Sequence, residues 1–165
     1  YLDRIVPVLK KLEDEGFRKG GKTHIPTKGD VPTIGYGHTG KYAEANATMT
    51  EPFASDLLRS ETGERLRVLK RQIPDFYEYD PVTQTALGAS QYRGSLGQSP
   101  KARALFNARK GSDAGDEFFG NNREVDDAVK NNRAGIIPRM RHTAASMRGS
   151  HKPGLFYPPN LMFSK

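Results

Sequence analysis

Twelve residues constrain this chain more than any others: GDVPTIGYGHTG, Gly29 to Gly40. Four glycines and a proline exclude a helix there. Val31, Ile34 and Tyr36 make the stretch too apolar for a solvated linker. Such a segment must turn tightly and also pack, and glycine lets a backbone do both.

On either side of it the pattern is helical. Ile5, Val8, Leu9 and Leu12 recur at three- and four-residue spacing, which predicts an amphipathic helix over Asp3–Glu15 with Asp3 as cap and Gly16 as stop. Glu15 is then expected at a helix C-terminus, where the macrodipole disfavours a carboxylate. Glu13 and Asp14 beside it read as ordinary solvated carboxylates. Thr50-Glu51-Pro52 starts a long helix that Ile73-Pro74 ends. VTQTALGASQY, after Asp80-Pro81, reads as a helix of small residues suited to close packing. Ser99-Pro100 starts another, closed by Gly111. Shorter pieces follow near 113–119 and 124–131, and a last helix spans about 134–147 with Pro138 as a candidate kink.

The expected architecture is α+β in a single domain over 1–165: a small β-hairpin lobe at about 17–45, a linking helix at 50–72, a helical lobe at 80–150 and an irregular tail at 151–165. A chain of 165 residues is long enough to bury a core unaided. It has no Cys, hence no disulfide or thiol chemistry. No apolar run approaches a bilayer span. The chain opens on Tyr1 rather than Met, as expected of a processed chain or a domain cut from a longer one. The net charge of +7 points to an anionic partner or serves solubility, and it is spread along the chain rather than gathered in one block. No nucleic-acid-binding signature, nucleophile elbow, dinucleotide fingerprint or metal-ligand spacing accompanies it. No cofactor or metal is expected.

Glu15-Gly16-Phe17-Arg18, then Pro32-Thr33-Ile34-Gly35-Tyr36-Gly37-His38-Thr39, then Thr50 with Ala54, Leu57 and Leu58 form a series that resembles the phage-type lysozymes, the T-even and lambdoid endolysins. Gln91-Tyr92 with Gly94, and Arg139-Met140-Arg141, add to the resemblance, which covers roughly Ile5 to Gly149. It implies a lysozyme-like fold and a phage-encoded muramidase acting on bacterial peptidoglycan, in a virion or as a released lysis enzyme. As this fragment it is expected to be a monomer, without nucleic-acid partners. A lytic transglycosylase and a non-catalytic basic wall-binding module are the competing readings.

Glycoside hydrolysis needs an acid for the leaving oxygen and a second group that activates water or stabilises the oxocarbenium-like centre. The resemblance makes Glu15 the acid and gives Thr33 a water-holding hydroxyl. The family's Asp is displaced here. Counted back from Thr33 its slot is Thr27, and counted forward from Glu15 it is His24, because the spacing between Glu15 and Thr33 is longer than usual. Asp30 is the only carboxylate between the two and is expected to take the second role, with His24 competing as a base. His24, Tyr36, Gln91 and Tyr92 are expected to bind substrate, and His38 to be structural, bonded between lobes.

Overall fold

The computed structural model describes residues 1–18, 20–25, 31–131, 133 and 135–150, with Glu15 described by its backbone alone. Asp30, Thr27 and the expected tail at 151–165 lie outside the described residues.

Helix α1, Leu2–Leu12, buries Ile5, Val6 and Leu9 along one face. It ends three residues earlier than the periodicity predicts. Tyr1, not Asp3, is its N-cap; Asp3 sits in the first turn and pairs with Arg59 at 2.8 Å. A separate four-residue helix, α2, runs Glu15–Arg18. Thr50 caps α3, Glu51–Gln72, whose buried stripe is Ala54, Leu58, Thr62, Leu66 and Leu69. That stripe packs against α1 and α4.

α4, Pro81–Arg93, starts where the Asp80 carboxylate accepts the Val82 and Thr83 N–H groups at 2.9 Å. Such a cap is worth about 1 kcal/mol. Its small residues permit the expected close approach: a Cβ on Gly88 would lie 2.7 Å from Ile5 Cδ1. The remaining helices are α5 (Pro100–Asn107), α6 (Gly111–Gly120), α7 (Arg123–Lys130) and α8 (Ile136–Arg148). Gly111 opens α6 rather than closing α5; the chain turns at Arg109, at φ 64. Pro138 falls in the first turn of α8, where its missing N–H breaks no helical bond. Phe76, Phe106, Phe118, Leu87, Leu96 and Met147 are fully buried beneath these helices.

The expected α+β class is corrected to a helical one. Among the described residues there is no strand and no sheet, so no β-hairpin lobe at 17–45. Three isolated antiparallel bridges stand in its place: Lys22 with Thr48, His24 with Thr33, and Ile34 with His38. Chain chemistry explains why they do not grow into a ladder. Among the described residues the hydrogen-bonded pair next to His24–Thr33 would join 22 and 35, but Gly35 turns away at φ +59 and Lys22 is bridged to Thr48. The glycines that suggest a hairpin also turn the chain out of one.

Candidate active site

The first contact of the site is between two glycines. A Cβ on Gly16 would lie 2.2 Å from the Gly35 carbonyl oxygen, so the backbone after Glu15 rests directly on the backbone of the Gly-rich stretch. Gly35 is pinched from its other side too: its own Cβ would come within 2.9 Å of Met49 Sδ and 3.2 Å of Ala54 Cβ. A positive φ and three close neighbours leave room for glycine alone. Glu15 lies one residue before this contact on one side and Thr33 two residues before it on the other.

Glu15 does not end a helix, as its sequence position suggests. α1 stops at Leu12, Glu13 is its C-cap, and Glu15 is the first residue of α2, whose Phe17 and Arg18 N–H groups bond to the Asp14 carbonyl. Three consecutive carboxylates at a helix C-terminus oppose the macrodipole. The chain meets that cost by breaking the helix and giving Glu13 cationic partners. Arg93 of α4 donates to Glu13 Oε1 at 3.1 Å and Arg139 of α8 at 2.8 Å. Arg139 also donates to the Leu12 carbonyl, one of the acceptors left open at the end of α1. Arg93 reaches on to Glu124 at 3.1 Å, and Ser95 donates to the same carboxylate.

Glu13 is therefore not the solvated carboxylate expected from the sequence: its side chain is 15% exposed and held in a cluster of four charges. Burial alone would lower Arg93, but Glu13 and Glu124 outweigh it and raise it. Burial lowers Arg139, as does Arg93 beside it, against the opposing pull of Glu13. Asp14 keeps the expected exposed character and pairs with Arg18 at 3.0 Å.

His24 and Thr33 face each other across their bridge, with His24 N–H to Thr33 O at 2.9 Å and the return bond at 2.8 Å. Both are partly exposed. Thr33 Oγ1 donates to the Val31 carbonyl at 3.0 Å, and His24 Nδ1 lies 3.3 Å from the Lys22 carbonyl.

Tyr36 is buried, its ring tilted 55° against that of Phe17 at 4.8 Å between centroids, and its hydroxyl donates to Glu51 at 2.9 Å. Burial and then the Glu51 carboxylate push that hydroxyl up to about 12. Glu51, taking bonds from Ser55, Lys10 and Tyr36, is pulled down to about 2. Tyr92 is buried as well. Its hydroxyl donates to the Tyr36 carbonyl at 3.0 Å, tying α4 to the Gly-rich stretch, and Arg65 lies 4.3 Å over its ring. Gln91 is 9% exposed, and its side-chain oxygen is buried without a protein donor.

His38 joins the stretch to α3, with Nδ1 3.1 Å from Glu61 and Nε2 3.3 Å from the Ala54 carbonyl. Burial alone would raise Glu61, but His38, Arg65 and Tyr92 outweigh it and hold it below its ordinary value. No group of His, Asp and Glu side chains among the described residues could hold a metal. No helix among them is long and apolar enough to cross a membrane.

The anchors Glu13, Arg93, Arg139, Glu124, Glu51 and Glu61 are absent from the sequence-based site. Their only signal is the run Glu13-Asp14-Glu15, which calls for cations without saying which.

No curated protein and no solved structure matches the chain. The family model described as phage lysozyme matches residues 13–127, beginning at Glu13 and taking in the Gly-rich stretch, α3, α4 and most of α7. With that match over more than half of its length, the chain belongs to the phage lysozyme family, a family of peptidoglycan-hydrolysing muramidases.

Proposed function

We propose that this protein hydrolyses the bond between N-acetylmuramic acid and N-acetylglucosamine in the glycan strand of peptidoglycan, during phage-driven host lysis or wall penetration. One observation supports the reading above all: the Gly16–Gly35 contact, one residue after Glu15 and two after Thr33, which itself pairs with His24. In this scheme Glu15 protonates the leaving glycosidic oxygen, and water attacks the anomeric carbon from the opposite face. Thr33 has committed its only hydroxyl proton to the Val31 carbonyl, so its oxygen is free to accept a hydrogen bond from that water. The second catalytic role lies between Asp30 and His24. Tyr36 and Tyr92, buried and bonded as they are, serve the site by shaping it.

The test is Glu15→Gln on purified sacculi. Loss of a general acid lowers the rate about a hundred-fold or more, with thermal unfolding unchanged. Near-normal lysis by that variant would sink the assignment. Mass spectrometry of the products separates the competitors: reducing ends mark hydrolysis, anhydro ends mark a transglycosylase, and binding without release marks a wall-binding module.

A further inference from the structure

We infer that His24, rather than a carboxylate, takes the proton from the attacking water; this deepens the hydrolytic reading above and rests on it. The backbone register carries the inference first. His24 and Thr33 exchange both of their backbone hydrogen bonds, so they are directly opposite residues. Side chains of such a pair stand on one face, with Cβ atoms about 4.5–5.5 Å apart. Position 24, the slot counted forward from Glu15, is the one this register sets directly opposite Thr33, and His24 fills it.

Hydrogen-bond chemistry carries it further. The Lys22 carbonyl can only accept, so the contact at 3.3 Å assigns the proton to His24 Nδ1. In the neutral ring Nε2 then holds a lone pair. Thr33 Oγ1 has given its proton to Val31, so it too presents a lone pair. Two acceptors on one face, both partly exposed, suit one molecule with two protons to give: a water. Of the two, only Nε2 can remove a proton.

The step balances without a further reagent. The water oxygen bonds to the anomeric carbon as the glycosidic bond breaks. The leaving oxygen takes the proton of Glu15, and a proton of the water passes to His24 Nε2. The imidazolium and the Glu15 carboxylate then return to their starting states by proton exchange with solvent. A neutral imidazole brings no negative charge to the anomeric centre, so His24 acts on the water, and the product emerges with inverted configuration.

The test compares His24→Ala, His24→Gln, Asp30→Asn and Glu15→Gln on soluble purified glycan strands, with unfolding curves for each. His24→Ala is expected to lower kcat about a hundred-fold or more and to move KM less than about three-fold. Azide, a small anionic nucleophile that needs no base, is expected to restore turnover of that variant and give a glycosyl azide of inverted configuration. Should His24→Ala not fold, His24→Gln, which keeps a comparable side chain but cannot take a proton, carries the same expectations. Near-normal kcat for the His24 variants, beside an azide-rescued hundred-fold loss in Asp30→Asn, would overturn the inference and assign the role to Asp30. A rise in KM without azide rescue would overturn it too, making His24 a sugar contact. Activity in Glu15→Gln would instead fail the hydrolytic reading itself, which keeps the two failures apart.

Discussion

The segment from Glu15 to Thr50 and the helices from Pro81 to Arg148 order their backbones by opposite means. In the helices each N–H finds its acceptor four residues back, so order is local and cooperative. In the site-bearing segment the bonds reach across it: Gly21 to Gly16, Met49 to Gly21, Thr23 to Ala47, His24 to Thr33. These bridges are isolated, and isolated pairings are weak. The segment is instead pinned by side chains supplied from the helices: His38 by Glu61, the Tyr36 carbonyl by Tyr92, the Glu13 corner by Arg93 and Arg139. The placement of the candidate site in this chain thus depends on anchors that lie outside the segment that carries it.

The largest expected effect breaks the segment at its tightest point. Gly16→Ala forces a methyl against the Gly35 carbonyl, where backbone must move. It is expected to cost about 3 kcal/mol or more in a urea titration and to abolish sacculus lysis. Gly120→Ala, at the end of α6 with open space around it, is the contrast, changing stability by less than about 1 kcal/mol. Equal stability of the two variants would dissolve the distinction between the regions.

A middle effect tests the anchors. Glu13→Gln leaves Arg93 and Arg139 side by side with one carboxylate fewer, and is expected to cost about 2 kcal/mol with a fall in kcat although Glu15 is untouched. The matching change at the exposed pair, Asp14→Asn, is expected to cost less than about 0.5 kcal/mol. A cycle with Arg139→Ala isolates the coupling; no coupling energy between Glu13 and Arg139 would mean the corner is held by packing alone.

The smallest effect is on pH. Glu61 and Glu51 both sit below their ordinary value of 4.5 in the folded chain, Glu51 at about 2. A lowered carboxylate contributes stability that is complete above the unfolded value and is lost as pH falls through the folded one. Stability is thus expected to decline below about pH 5 as these two groups protonate. Glu61→Gln should flatten that decline more than Glu51→Gln, because Glu51 is half exposed and its partners are screened. Glu61→Gln with an unaltered acid limb in thermal unfolding would remove the His38–Glu61 tie from the list of anchors.

Much of the helical part is legible locally. The four-residue spacing of α3 and the Asp80-Pro81 start of α4 each contain their own instructions within a turn or two. The Gly-rich stretch is legible as a turn that packs, and its resemblance to the phage lysozymes names the family that the chain belongs to. Its class is misread because apolar runs between glycines resemble short strands, while the lack of a ladder among the described residues depends on Gly35 turning away and Lys22 pairing with Thr48. The α1 boundary is misread for a related reason. Periodicity alone carries the helix to Glu15, whereas α1 ends at Leu12, with Glu13 as C-cap bonded to two arginines from distant helices.

By itself, then, the sequence determined where the chain turns, which faces of its helices are apolar and which family its motif belongs to, because caps, glycines and periodicities act within a few residues of themselves. Tertiary structure alone decided which charges meet. Arg93 and Arg139 lie 80 and 126 positions from the carboxylate they share, and nothing local selects them among the chain's 26 lysines and arginines. The same holds for the register that sets His24 opposite Thr33. It follows from Gly16 lying on Gly35 and from the ties of His38 and Tyr92, contacts that exist only once α3 and α4 have packed.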